Sequence, residues 1–334
     1  MVTFVCRIIK KTMKRVFVIG FVFASLLFVE GVFAQRVEKI PYGDMEQWQT
    51  RVIKESFLLG GETKKLYDLA PTAEKTGTVP YRRNNISPWA SSNVLAAPAG
   101  IVKTSCSVTP EKRGDGYCAR LEVVEERCKA IGIVNIVVVA SGSIYLGGMD
   151  EPVKTAKDPM SKLDQGIPFT KRPVAIQFDY KTKRAQQVYK ATGTPKISKL
   201  EGKDNAEVMM LLIHRWEDAN GNVYAKRVGT AIEKFGKDVL NWVNDYQIPV
   251  HYGNITKEPF FKSYMGLINS SSPNPYYTTN SKGEMVPVQE VGWAEAGEKV
   301  THMLLKISSS DLGPYLGSVG SVFWVDNVEL IYKD

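Results

Sequence analysis

Histidine is scarce in this 334-residue chain. His214, His251 and His302 are the full set, and none sits in a metal-spaced pair or beside a nucleophile motif. Four cysteines are present without a Cys-x-x-Cys, which argues against a zinc cluster. There is no Gly-x-Ser-x-Gly elbow, so the serine-hydrolase signature is missing. Gly147-Gly148 is not followed by Gly-Lys-Ser, so a phosphate-cradling loop is missing too. Long helical periodicity is hardly found. The formal charge of +8 is not a nucleic-acid signature. Residues 1–34 hold Arg7, Lys10, Lys11, Lys14 and Arg15 against Glu30, which is half of that charge. The other half is scattered, with no basic stripe interleaved with aromatics, so no nucleic-acid partner is expected. Glycoside hydrolysis needs two carboxylates at a separation set in three dimensions, and spacing along the chain selects no pair.

What is there begins with an export signal. Lys14-Arg15 precedes the apolar stretch Val16–Val29, and Val32-Phe33-Ala34 reads as a cleavage site before Gln35. Residues 1–34 are therefore expected to be a signal peptide, with Met13 as the natural start. The apolar stretch is short of the roughly 20 residues that span a bilayer, so no transmembrane anchor is expected. No cysteine follows it to carry a lipid. The mature chain is expected to be secreted, periplasmic or at the cell surface.

Beyond Gln35 the chain has the 44% apolar and 10% aromatic content of a folded globular protein. Many short alternating segments separated by turns predict an all-β, antiparallel β-sandwich with few or no long helices. In Val174–Lys181, Val174, Ile176, Phe178 and Tyr180 face one side while Gln177, Asp179 and Lys181 face the other. Ile131–Ala140 is a continuous apolar run, read as a strand buried on both faces. Glu207–Trp216 and Val223–Ile232 form a hairpin around Asp218-Ala219-Asn220-Gly221-Asn222. Pro259–Asn269 and Lys299–Ser308 complete the strands, and Val239–Val243 is placed as one helical turn around Trp242. Residues 269–289 read as a long polar loop. Residues 35–100 read as a first strand plus an irregular, loop-rich region packing on the sandwich, and 101–334 as the main domain. Cys106 and Cys118 flank the turn-like Pro110–Gly116; they form a disulfide across a hairpin or, with equal weight, are small buried residues.

In the closing strand Val322, Trp324, Val328, Leu330 and Tyr332 share one phase, and Asp326 falls among them. A carboxylate on a core phase needs a partner, because burying it alone is prohibitive. A bulge that turns it outward, a cation or a metal ion would each serve.

Three segments carry a family resemblance. Ser308-Ser309 and Gly320 through Tyr332 include Val325-Asp326-Asn327-Val328-Glu329-Leu330. Gly166-Ile167-Pro168-Phe169-Thr170-Lys171-Arg172-Pro173 leads into apolar alternation and Tyr180-Lys181. The mature chain opens with Ile40 to Trp48, where Glu46 and Trp48 match a Phe-Glu-x-Trp pattern whose Phe is Met45 here. Together they resemble the putative carbohydrate metabolism domain family, proteins secreted by Bacteroidetes. That resemblance implies a jelly roll and a carbohydrate partner, alongside other proteins of a glycan-utilisation system. In similar carbohydrate-binding modules the opening glutamate and closing aspartate lie together at a structural calcium. By that likeness Glu46 and Asp326 are expected calcium ligands.

The expected function is a non-catalytic carbohydrate-binding or glycan-utilisation accessory protein. The alternatives are a glycoside hydrolase or polysaccharide lyase and, third, a surface structural or adhesive protein. Aromatic rings near strand ends can stack on sugar faces, and Trp216, Trp242, Tyr276 and Tyr277 are the expected platform.

Overall fold

The computed structural model describes residues 35–83 and 85–333; the expected signal peptide, residues 1–34, lies outside them. Among the described residues, the regular structure is strand apart from 3₁₀ turns of three or four residues, and residues 37–332 make one compact unit. The principal strands are β1 (Trp48–Lys54), β2 (Thr63–Leu69), β3 (Val108–Arg113), β4 (Gly116–Ala130), β5 (Val134–Ser141), β6 (Ser143–Met149) and β7 (Ala175–Lys183). They are followed by β8 (Ala206–Glu217), β9 (Val223–Phe235), β10 (Val239–Pro249), β11 (Met285–Trp293), β12 (His302–Ser308) and β13 (Val322–Lys333).

Two sheets face each other. One runs β5-β4-β13-β7-β10, with β3 added beside β4 and Gln35–Lys39 beside β13. The other runs β12-β8-β9-β11, continues through Tyr277–Thr279 and Leu163–Gln165 to β6, and β6 pairs again with β12. This second sheet thus curls into a barrel-like ring. Most pairings are antiparallel, as expected for the sandwich, but β9 with β11 is parallel.

The two-residue period places the core. Ile176, Phe178 and Tyr180 of β7 point at Met210 and Leu212 of β8 and at Leu305 and Ile307 of β12. Met209, Leu211 and Ile213, on the other face of β8, pack with Ile232, Val288 and Tyr276. Phe178, Tyr180, Phe235, Tyr246 and Phe323 form an aromatic cluster with ring centroids 4.8 to 6.2 Å apart. Each such pair contributes about 0.5–1.5 kcal/mol beyond burial, which fixes β7 in register.

Several expectations are corrected. Residues 239–243 begin the strand β10 rather than form a helical turn: Val239 and Val243 pair with Thr182 and Tyr180 of β7 and pack on the core, and a bulge before Tyr246 returns that residue to the same face. Residues 259–269 are turns around a 3₁₀ segment at Ser263–Met265, not a strand. The polar loop 269–289 contains Tyr277–Thr279 and the start of β11. The loop-rich region contains β1, β2, Ala73–Thr76, Trp89–Ser91 and Val94–Ala96. Cys106 and Cys118 are free thiols. Cys118 lies opposite Glu111 in the β3–β4 hairpin, whereas Cys106 precedes the hairpin and packs with Ile53, Leu66 and Leu95. Burial pushes their thiols up to about 12 and about 11, so both stay protonated and unreactive.

Candidate functional site

The chemistry-bearing surface is the outer face of the first sheet, built around Asp179. Its neighbours Phe178 and Tyr180 are sunk in the aromatic cluster, so alternation turns Asp179 and Lys181 outward. Both partner strands bulge beside Asp179. On β13 the pairing runs Asp179 to Asp326 and then Gln177 to Glu329, one residue too many, and Asn327 takes the left-handed conformation at φ 48°. On β10 it runs Tyr180 to Val243 and then Phe178 to Tyr246, with Asp245 at φ 54°. Bulges of this kind re-aim side chains, and asparagine and aspartate tolerate the left-handed region best after glycine. Asp179 stitches both: Oδ1 accepts the Asp245 amide at 2.8 Å, and Oδ2 accepts Asn327 Nδ2 at 2.8 Å.

The bulge on β13 overturns the phase expected for that strand. Phe323 and Val325 face the core before it, Val328, Leu330 and Tyr332 after it. Trp324 and Asp326 therefore share the outer face. Of the three partners open to Asp326, a bulge and a cation are both present. Arg113, at the end of the β3–β4 hairpin, donates through Nη1 to Asp326 Oδ2 at 2.6 Å and to Asp179 Oδ2 at 2.7 Å. Its Nη2 donates to Asn244 Oδ1 at 2.7 Å, and its guanidinium lies 4.0 Å from the ring centroid of Trp242. Asp179 and Asp326 are each only 4% exposed. Burial, reinforced by the Asp179 charge, pushes the Asp326 carboxyl up to about 6 against the opposing pull of Arg113.

Beside this cluster lies a second group. Lys181 Nζ stands 4.4 Å from the Trp324 ring centroid and 5.4 Å from that of Trp242, bridging the two indoles. Trp324 Nε1 donates to Glu111 Oε1 at 2.8 Å, and Arg120 pairs with Glu111 at 3.3 Å and with Glu122. Two half-buried tryptophans thus sit in a lattice of ion pairs and hydrogen-bonding groups on one sheet face.

The expected platform is not gathered in one place. Trp242 belongs to the face just described. Trp216 is 39% exposed on the second sheet, stacked on Tyr224 at 6.0 Å and 25°. Tyr276 is 1% exposed and donates to Glu290 inside the barrel-like ring, so no sugar can reach its ring. Its neighbour Tyr277 is half-buried in Tyr277–Thr279.

The expected calcium ligands do not fit an ion. Asp326 is bonded to Arg113 and to the Asn327 amide, and Glu46 Oε1 accepts the Tyr117 amide at 3.1 Å. Among the described residues no group of three His, Cys, Asp or Glu side chains is placed to hold a metal ion. The guanidinium holds the place a cation would take.

A family model described as a putative carbohydrate metabolism domain matches residues 63–331. The chain belongs to that family. The putative carbohydrate metabolism domain therefore takes in β2 through nearly all of β13, with the Arg113–Asp179–Asp326 cluster. Two crystal structures are similar to it. One is called a putative glycoside hydrolase from Bacteroides thetaiotaomicron; it is 18% identical over 82% of this chain and 76% of that one, with a TM-score of 0.46. The other, a putative glycoside hydrolase from Bacteroides vulgatus, is 13% identical over 88% and 94%, with a TM-score of 0.41. No curated protein matches the chain.

Proposed function

We propose that this domain binds carbohydrate without cleaving it, through the outer face of the first sheet. The carrying observation is the pair Trp242 and Trp324 bridged by Lys181, with Glu111, Arg113 and Arg120 around them. Indole rings offer stacking surface to the C–H faces of a sugar, and the charged groups offer hydrogen bonds to its hydroxyls. The partner is a polysaccharide or oligosaccharide. The export-type N-terminal sequence supports action outside the cytoplasm, at the cell surface or in the periplasm, beside other glycan-utilisation proteins.

Hydrolysis is the second reading, and one observation favours it. Asp179 and Asp326 converge on one nitrogen of Arg113, and the Asp326 carboxyl sits near 6, as a general acid requires. Against it, both carboxylates are buried and their facing oxygens are occupied by the guanidinium. A glycan array with a reducing-sugar assay on the same sample separates the readings. The expected result is binding without release of reducing ends, with Trp242→Ala and Trp324→Ala each costing up to about tenfold in affinity. Reducing ends released by the parent and lost in Asp179→Asn would establish the hydrolase. Full affinity in both tryptophan variants would move the site elsewhere, and loss in Trp216→Ala would place it on the β8–β9 hairpin.

A further inference from the structure

A second site, independent of the sugar-binding face, follows from β5. One of its faces is packed by protein along its length, and the other only at its start, where Val134 and Ile136 pack on Ile101, Cys128 and Ala130. Val137 and Val139 are buried against Val123 and Ala191. Past the start of the second face, Val138 and Ala140, with the edge of Ile136, line a cavity of about 280 Å³ between β5, β6 and the segments around 94–98, 153–163 and 313–315. Met149, Met160 and Leu163 line its opposite wall. The volume is near the lower end of the roughly 300–1,000 Å³ typical of small-molecule sites.

The walls are apolar and the charges at their border have one sign in excess. Lys103, Arg127, Lys162 and Lys306 line the cavity together with a single acid, Glu126. Lys103 pairs with Glu55 and Glu126, Arg127 with Glu125, and Lys306 with Glu207. Lys162 is half-buried and has no carboxylate in ion-pair reach among the described residues. The buried hydroxyl of Ser105, which also lines the cavity, has no hydrogen-bond partner among them, so it can donate to a guest.

We propose that this cavity binds a single-chain amphiphile, an unbranched apolar body with one carboxylate head, whose body lies on Ile136, Val138 and Met149 and whose head pairs with Lys162. A hydrocarbon chain covers the part of that face left open at Val138 and Ala140, and the carboxylate supplies the counter-charge that Lys162 lacks.

The test is titration calorimetry of the full chain with decanoate and with decanol, on the parent, Lys162→Glu and Val138→Trp. Decanoate is expected to bind the parent with one-to-one stoichiometry, and Lys162→Glu to weaken it by about tenfold or more while leaving decanol unchanged. Val138→Trp fills the cavity and is expected to abolish binding of both; thermal melting verifies that it folds. If Val138→Trp does not fold, Ala140→Leu narrows the same cavity and takes its place. Absence of decanoate binding to the parent overturns the proposal, as does undiminished binding to a folded cavity-filled variant. Equal loss of decanol and decanoate in Lys162→Glu overturns the assignment of the head group.

Discussion

At the scale of single residues, Arg113 carries the most weight. It is the shared cation for two carboxylates that are nearly inaccessible to water, so removing it leaves both charges buried and unpaired. Arg113→Ala is expected to lower stability by about 3–5 kcal/mol, measured by urea unfolding. A loss below about 1 kcal/mol would mean that water reaches the carboxylates freely. Asp326 gives a pH signature of known sign. Its folded-state carboxyl sits near 6, above the usual 3.8, so the folded chain holds that proton more tightly than the unfolded one. Its contribution is therefore most favourable below about 4 and declines as pH rises to about 6. The stability of the parent relative to Asp326→Asn should fall across that window, and a flat difference would contradict the shift. None of this was legible as such in the sequence. That Asp326 needed a partner was plain from its apolar neighbours, but the partner lies 213 positions away, at a hairpin end read only as a turn. The sequence leaves Cys106 and Cys118 open between a disulfide and unpaired thiols, and they are the latter: symmetry around a turn does not fix a register, and the observed register sets Glu111 opposite Cys118. Tyr276 misled because the polar residues around it conceal a core position.

At the scale of strands, the two bulges beside β7 decide what faces outward. Alternation along β7 itself was readable, because its pattern runs unbroken from Ile176 to Lys181. The same reading failed on β13, where one extra residue shifts the phase and moves Trp324 from the expected core face to the polar one. Asn327 was the available signal, an asparagine where a left-handed residue is needed. A β-branched residue resists that conformation, so Asn327→Val is expected to cost roughly 1–2 kcal/mol in backbone strain and about 1 kcal/mol more for the lost bond to Asp179. Asn327→Gly keeps the backbone and loses only the bond, and should fall in between. Equal stability of the parent and Asn327→Val in denaturant titration would mean that the bulge is not needed. The opening segment is held to the same strand. Val328 donates to the Gly43 carbonyl at 2.8 Å, and a Cβ at Gly43 would stand 2.5 Å from the Val328 carbonyl oxygen. The segment around Gly43 and the closing strand, whose meeting the sequence associated with calcium, are joined here by a backbone hydrogen bond. Chelator is accordingly expected to leave the melting temperature unchanged, and a drop on chelation would restore the ion.

At the scale of the whole molecule, the question is whether the loop-rich region 35–100 unfolds with the rest. Composition suggested an irregular decoration, because Gly, Pro, Ser and Asn weaken any periodic signal. Its buried charges tell more. Arg51 on β1, 1% exposed, pairs with Asp68 on β2 at 2.8 Å and with Glu151, a hundred residues on, at 2.6 Å. Glu151 also accepts the amides of Tyr81 at 2.5 Å and Leu95 at 2.7 Å, so one carboxylate ties four stretches of chain together. Glu55 does the same at the far end of β1, accepting from the Thr104 amide and hydroxyl and from Lys103. Opening the region would strand these charges in an apolar setting, a cost of several kcal/mol per ion. Region and sandwich are therefore expected to unfold together, in one calorimetric transition whose van't Hoff and calorimetric enthalpies agree. Glu151→Ala removes a charge and leaves two amides unpaired, and should shift that single transition downward by about 3–5 kcal/mol without splitting it. A separate early transition, in the parent or in Glu151→Ala, would show instead that residues 35–100 are an independent layer, and that Arg51 and Glu151 join two bodies that fold alone.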